Sequence, residues 1–347
     1  MGESVVLTVV IPTYNMQGFL NRCLDSLIVD SALMDSLEVL VINDGSKDNS
    51  SVIAHTYQDR FPYTFRVIDK ENGNYGSCIN RGLAEAKGKY IKVLDADDWF
   101  NTKEFEVFLK ALKSIDADMV LTRFNIVNDK SKVSNLAYNP HLESLRVYDF
   151  QQMEYEKVGV WMMHAVTYNV QMLRRIDYYQ TEGISYTDTE WTYLPLFAIE
   201  SFVYIDAIVY QYLVGRDGQT MDSSVLVKSV WQHEHLARRI IEHVDSLPDY
   251  LKKGFSYVTT ERQIDYLVNL VYNVCLVKQD RTQFDNDRLS EFDKYVHEHR
   301  PLLYKSIGEK HIKSFFPLRY VKYWRKYGRR FPVDGLRWAY RRLIYKQ

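Results

Sequence analysis

The first strong pattern along the chain is an unbroken run, Val5-Val6-Leu7-Thr8-Val9-Val10-Ile11, which Pro12 stops. A run of that kind predicts a strand buried on both faces, the habit of a parallel sheet. The period then changes: Phe19, Leu20, Cys23, Leu24, Leu27 and Ile28 recur at helical spacing. The alternation continues with a strand over 38–43, a turn at Asp44-Gly45-Ser46, a helix over 49–59, a strand over 65–69, a helix over 77–87 and a strand over 90–94. Repeated β-α-β units of this length imply a parallel sheet with right-handed crossovers.

Further on the pattern loosens. It predicts a helix over 102–114, a strand over 118–127, helices over 170–175 and 189–199, and a strand over 202–212. Pro195 should kink the second of those helices or start a new turn. Residues 128–150 have little periodicity and are expected to be an irregular insertion. Beyond Gly218 strand signals vanish, and the rest reads as helices rich in Tyr, Leu and Val. The expected organisation is an α/β domain over 1–220 and a helical region over 221–347.

Composition narrows the class. The 347 residues are 46% hydrophobic and 26% charged, which is globular. No apolar run approaches the ~20 residues that span a bilayer, and residues 1–12 carry no basic region or cleavage site of a secretory leader. A cytoplasmic protein is expected. Cys23, Cys78 and Cys275 are odd in number and widely spaced, so they read as reduced core residues. Charge is asymmetric: residues 312–347 hold eleven Lys or Arg against Asp334 alone, leaving −11 on residues 1–311.

Candidate chemistry gathers where strands end. The first strand presents Pro12, Thr13, Tyr14 and Asn15, and the second Asp44, Gly45 and Ser46. The third leads into Glu71-Asn72-Gly73-Asn74-Tyr75-Gly76, and the fourth into Asp95, Asp97 and Asp98. In open α/β sheets that edge is where ligands sit. Hard divalent cations take carboxylates together with substrate phosphate oxygens; a plain polar turn is the alternative for Asp95-Ala96-Asp97 alone. Together these parts suit a nucleoside diphosphate: an aromatic and an acceptor for the base, a helix N-terminus for phosphate, and a cation. The loop at 73–76 has neither the dinucleotide nor the P-loop pattern, so it also reads as a loop that lets a helix start.

Four segments in this order closely resemble glycosyltransferase family 2, inverting enzymes of the GT-A fold. They are Val-Ile-Pro-Thr-Tyr-Asn (10–15), Val-Ile-Asn-Asp-Gly-Ser-Lys-Asp (41–48), Glu-Asn-Gly-Asn-Tyr-Gly-Ser-Cys-Ile-Asn-Arg-Gly (71–82) and Gly-Lys-Tyr-Ile-Lys-Val-Leu-Asp-Ala-Asp-Asp-Trp (88–99). The resemblance covers roughly residues 5–215. It implies a Rossmann-like, mostly parallel sheet flanked by helices, with the C-terminal helical region outside it. It also implies a nucleotide-sugar donor of the UDP type, a saccharide or lipid-linked glycan acceptor, and Mn2+ or Mg2+.

The resemblance implies residue roles as well. Tyr14 and Asp44 would hold the nucleobase, with Pro12 and Thr13 shaping the pocket and Asn72 and Gly73 near the nucleotide. Asp95 and Asp97 look like the two acids of the D-x-D motif, Asp95 near the ribose or the metal and Asp97 on the metal, with Asp98 the alternative contact. Tyr14 reads equally as an aromatic at the core boundary. In Gly183-Ile184-Ser185-Tyr186-Thr187-Asp188-Thr189-Glu190-Trp191, Asp188 stands where the family's general base is usually assigned, and Glu190 is second choice. Thr187 replaces a Glu that many members carry, and Asp188 would also suit a helix N-cap.

Secondary candidates read more simply. His164 is expected as a hydrogen-bonded interior histidine. Arg216 and Gln219 lie on a Gly-flanked loop, and Asn80 and Arg81 line a helix near the site. Residues 315–345 interleave cations with Phe, Tyr and Trp, which suits contact with an anionic membrane at the inner face; packing on the protein's own acidic body is the rival. No nucleic-acid recognition fold is expected. A GT-A-like sugar nucleotidyltransferase and a non-catalytic saccharide binder remain alternatives.

Overall fold

The computed structural model describes residues 5–128, 133–136, 140–159, 161–215, 223–279, 281–310 and 319–330. The initial apolar run becomes β1 (Leu7–Thr13), in which Leu7, Val9, Val10 and Ile11 have no exposed surface. Next come α1 (Leu20–Asp25), α2 (Ser31–Met34), β2 (Leu37–Asn43), α3 (Ser50–Arg60), β3 (Phe65–Asp69), α4 (Asn74–Glu85) and β4 (Tyr90–Val93). All pairings in the order β3-β2-β1-β4 are parallel. Parallel strands all deliver their C-terminal ends to one edge, so the loops after β1, β2, β3 and β4 converge there.

The rest of the sheet is mixed. β5 (Trp99–Phe100), α5 (Thr102–Leu112), β6 (Met119–Asn128), β7 (Val133–Leu136), β8 (Val147–Asp149), α6 (Tyr155–Val158), β9 (Val166–Asn169), α7 (Val170–Arg175), α8 (Asp188–Tyr193) and β10 (Ser201–Val214) follow in sequence. The full order is β3-β2-β1-β4-β9-β6-β10-β5, with β7 on β6 and β8 on β10. β9 runs antiparallel to both β4 and β6, while β6 and β10 pair in parallel. β10 carries register shifts at Ile205/Ile208 and Ile208/Tyr210. Such irregularities bend a strand and re-aim its side chains, and here Tyr210 and Leu213 meet the end of β4.

Three expectations change. The stretch 128–150 is not wholly irregular, because β7 and β8 lie in it; each is only three or four residues long, too short to print a period. β9 was not anticipated, since four residues buried between two strands carry no alternation. The helix expected over 189–199 is α8 followed by a 3-10 turn, Leu194–Ala198, with Pro195 at its start. Proline fits there because its missing N–H is not needed in the first turn.

The chain divides into two compact units, residues 1–219 with 247–259, and 220–246 with 260–347. The second contains α9 (Ser223–Lys228), α10 (Val230–Ser246), most of α11 (Gly254–Asn273), α12 (Asn286–His299), α13 (Pro301–Gly308) and α14 (Tyr320–Tyr327). Leu236, Ile240, Ile241, Val271, Tyr272, Leu289, Phe292 and Val296 form its core. α14 belongs to that core: Trp324 is buried and donates to Asn286 at 2.8 Å, and Arg325 pairs with Asp293 at 2.7 Å. Lys322 reaches Glu309 at 3.1 Å, and Arg319 pairs with the same carboxylate at 2.5 Å. These cations of the basic segment are therefore engaged with the chain's own acids; residues 311–318 and 331–347 lie outside the described residues. All three cysteines are free and buried. Among the described residues no helix is long and apolar enough to cross a membrane.

Candidate active site

At the β1, β2 and β3 ends lies a cavity of about 490 Å³ lined by Tyr14, Asn43, Gly45, Lys47, Asp69, Lys70, Glu71 and Asn72. Tyr14 is 47% exposed, so its ring offers an open face and is not core packing. The loop after β1 is locked to the loop after β2: Asn15 donates its amide to Ser46 and accepts from the Lys47 amide at 2.7 Å. Asn15 and Gly45 hold left-handed backbone, which lets both chains turn tightly here. Thr13 is buried and donates back to the Ile11 carbonyl.

Asp44 is buried at the end of β2. It accepts from Lys70 Nζ through a short contact and from the Gly73 amide at 2.9 Å, and its carbonyl accepts from Asn72 at 2.9 Å. Lys70 also donates to Ser77 at 2.8 Å. The β2 carboxylate and the loop ahead of α4 thus form one hydrogen-bonded unit. Asn72 and Gly73 act on that unit through Asp44.

The β4 end is densely charged. Asp95 accepts from the buried Tyr75 hydroxyl at 2.7 Å, and its amide donates to Tyr210 at 3.0 Å. Asp98 is buried and accepts from Tyr210 at 2.7 Å and from the Leu213 amide at 2.7 Å. Burial, with Asp97 and Asp95 beside it, holds the Asp98 carboxyl well above the usual range. Arg22 answers part of this charge: it lies 3.7 Å over Trp99 and donates to the Asp97 carbonyl at 2.9 Å. Asp95, Asp98 and His164 each offer a ligand atom, all within 4.8 Å of one another. Asp97 is beside this group and not a member of it.

Asp188 begins α8, with Thr187 rather than Asp188 at the N-cap position. Burial pushes its carboxyl up to about 6, against the pull of the Thr189 amide and its own. Two tyrosines feel its charge together with those of the β4 acids. The Tyr212 phenol is pushed up to about 12 by burial and then by the charges of Asp98, Asp95, Asp188 and Asp97. Tyr75 is raised by burial, by Asp95 and by Asp188.

Glu190 has a different position. It is fully buried, and its two oxygens accept from the Thr181 amide at 2.7 Å and the Thr181 hydroxyl at 2.6 Å. Thr181 in turn lies against α4, where a Cβ built on Gly76 would come 2.1 Å from the Thr181 carbonyl oxygen. Asn80 clasps Gln180, donating to its carbonyl at 3.0 Å and accepting its amide at 2.8 Å. Tyr186 just before the acid holds left-handed backbone at φ 66. Glu190, Asn80 and Gly76 therefore fix the loop that presents Asp188.

Residues 8–177 match the family described as Glycosyl transferase family 2. The chain carries a family 2 glycosyltransferase domain. The chain is 36% identical over 121 residues to an uncharacterized glycosyltransferase, the MG025 homolog, of Mycoplasma pneumoniae, covering 34% of this chain and 39% of the relative. Against the minor teichoic acid biosynthesis protein GgaB of Bacillus subtilis the identity is 22% over 293 residues, 84% of this chain and 32% of that protein. The chain thus spans well under half the length of these curated relatives. The fold matches that of S. aureus TarS 1–349 in complex with UDP-GlcNAc, with TM-score 0.64, 18% identity, and coverage of 93% of this chain and 87% of TarS 1–349. The architecture is accordingly that of GT-A glycosyltransferases.

The glycosyltransferase fold brings Tyr14, Asp44, Asn72 and Gly73 to one end of the edge and Asp95, Asp97, Asp98 and Asp188 to the other. Pro12 is half-buried between them. Arg81 pairs with Glu85 within its own helix. Arg216 and Gln219 lie outside the described residues. Sequence reasoning missed Tyr75, Tyr210, Lys70 and Arg22. Tyr75 sits inside the recognised loop segment, one residue before Gly76, and was the one within reach; Tyr210 shows only strand periodicity.

Proposed function

We propose that this chain is an inverting, metal-dependent glycosyltransferase that moves a sugar from a UDP-sugar to a hydroxyl of a saccharide or lipid-linked glycan in cell-surface polymer synthesis. The observation that carries the reading is Asp188, a carboxyl raised to about 6 whose charge is felt, with those of β4 acids, at Tyr75 and Tyr212. A general base works best with a pKa near the working pH.

In this reading the open face of Tyr14 stacks on the base, and Asp44, already oriented by Lys70 and Gly73, accepts the base N–H. The β4 acids suit a divalent cation, since three carboxylates crowd there and, among the described residues, the Arg22 guanidinium lies near them and His164 Nδ1 is buried without a hydrogen-bond partner. Asp95 and Asp97, with Asp98 beside them, would hold Mn2+ or Mg2+, which neutralises charge on the departing diphosphate. Asp188 takes the acceptor hydroxyl proton as the new glycosidic C–O bond forms and the bond from the anomeric carbon to the diphosphate breaks. Attack from the face opposite the leaving group inverts the anomeric centre. Glu190 positions the loop and does not exchange protons.

The UDP donor is supported by the likeness to TarS in complex with UDP-GlcNAc, and the cell-surface acceptor by the likeness to the minor teichoic acid biosynthesis protein GgaB. Contact of the basic segment with the inner membrane face is part of the proposal only for residues beyond α14. Incubation with a UDP-sugar panel and Mn2+ tests the reading: UDP release from at least one donor, abolished by EDTA, is expected, and no release from any donor would overturn it.

A further inference from the structure

His164 is 3% exposed, in the 3-10 turn Met163–Ala165 just ahead of β9. Its ring is held on three sides: stacked on Tyr212 at 4.2 Å between centroids, edge-on to Tyr210 at 4.7 Å, and tilted on Phe124 at 5.2 Å. Its backbone is held from β4, where the fully buried Lys92 ammonium donates to the carbonyls of His164 at 2.9 Å and Val166 at 3.1 Å. A buried ring so confined should satisfy its nitrogens. Yet among the described residues Nδ1 has no hydrogen-bond partner.

Neutral imidazole is the form in which histidine binds metals. A ring nitrogen lies within 4.8 Å of carboxylate oxygens of both Asp95 and Asp98. Those acids are braced in turn by Tyr75 and Tyr210. Hydrogen-bond partners of this kind fix the orientation of metal ligands.

We infer that His164 is a cation ligand of this site, adding one imidazole to the β4 carboxylates of Asp95, Asp97 and Asp98. The inference rests on the metal-dependent reading above and deepens it by naming a ligand outside the acid cluster. It also sets selectivity. A nitrogen ligand suits the hard Mg2+ less well than the first-row transition ions, of which Mn2+ also accepts the carboxylates, so the site is expected to favour Mn2+ over Mg2+. Lys92 is a positioning residue for this ligand.

The test is Mn2+ titrated into the full chain, with and without UDP, followed by electron paramagnetic resonance, with Mg2+ measured by competition. Wild type should bind Mn2+ and show 14N coupling in pulsed spectra. His164→Phe, which keeps the aromatic stack, should lose the 14N coupling and weaken Mn2+ by about tenfold or more while Mg2+ changes less. If that variant fails to fold by circular dichroism, the wild-type spectrum still decides. Mn2+ bound by wild type without 14N coupling, or with coupling and affinity unchanged in folded His164→Phe, overturns the inference and leaves the metal-dependent reading standing. No Mn2+ binding by wild type, with or without UDP, overturns both.

Discussion

Replacing Asp188 by Asn should separate catalysis from stability. An acid whose folded pKa is raised holds its proton more tightly in the native state, so its contribution to stability is most favourable below its ordinary value of 3.8. That contribution falls as pH rises toward the folded value of about 6. Above pH 6 the ionised Asp188 is a net cost. The shift of about two units is a ceiling of about 3 kcal/mol at 1.36 kcal/mol per unit, and partial exposure of the side chain lowers this to about 1–2 kcal/mol. Asp188→Asn should therefore unfold at higher denaturant than wild type at pH 8, by about 1–2 kcal/mol, and the difference should vanish near pH 4. Turnover should fall by ~10^2 to 10^4 with donor affinity near normal, and the acid limb of the wild-type rate profile should lie near pH 6. Paired denaturation curves at pH 4 and 8 with a UDP-release assay check all three. A variant that keeps wild-type turnover, or is less stable than wild type at pH 8, would refute the assignment of Asp188.

Other sites give sharper contrasts. Glu190→Gln presents an amide to the Thr181 N–H and should lose about 2–3 kcal/mol in denaturant unfolding, the opposite sign to Asp188→Asn. Gly76→Ala places a methyl against the Thr181 carbonyl; the loop must shift, so turnover should drop more than UDP affinity, as kinetics and calorimetry would show. Asp97→Ala should reduce Mn2+-linked donor affinity, and unchanged calorimetric affinity would remove Asp97 from the metal set.

The parallel half of the sheet and its ligand edge were legible because β1, β2 and β4 are nearly continuous apolar runs broken by Pro12, Asp44 and Asp95. β9 was not, because Val166-Thr167-Tyr168-Asn169 is too short to show a period and owes its place to pairing on both sides. The acids were visible as residue types, yet their divergent roles were not. Asp188 and Glu190 are two residues apart on one short helix, and only packing against Thr181 assigns Glu190 to the loop. The engagement of Asp98 with Tyr210 and Leu213, 112 and 115 residues away, is tertiary in origin and leaves no local trace.

The central claim, inverting transfer from a UDP-sugar, can be measured before any acceptor is known. Wild type incubated with Mn2+ and an α-linked UDP-sugar should slowly hydrolyse it, and proton NMR at early times should show the released sugar as the β anomer. Initial release of the α anomer, or no release from any UDP-sugar while the folded chain binds UDP, would contradict the account.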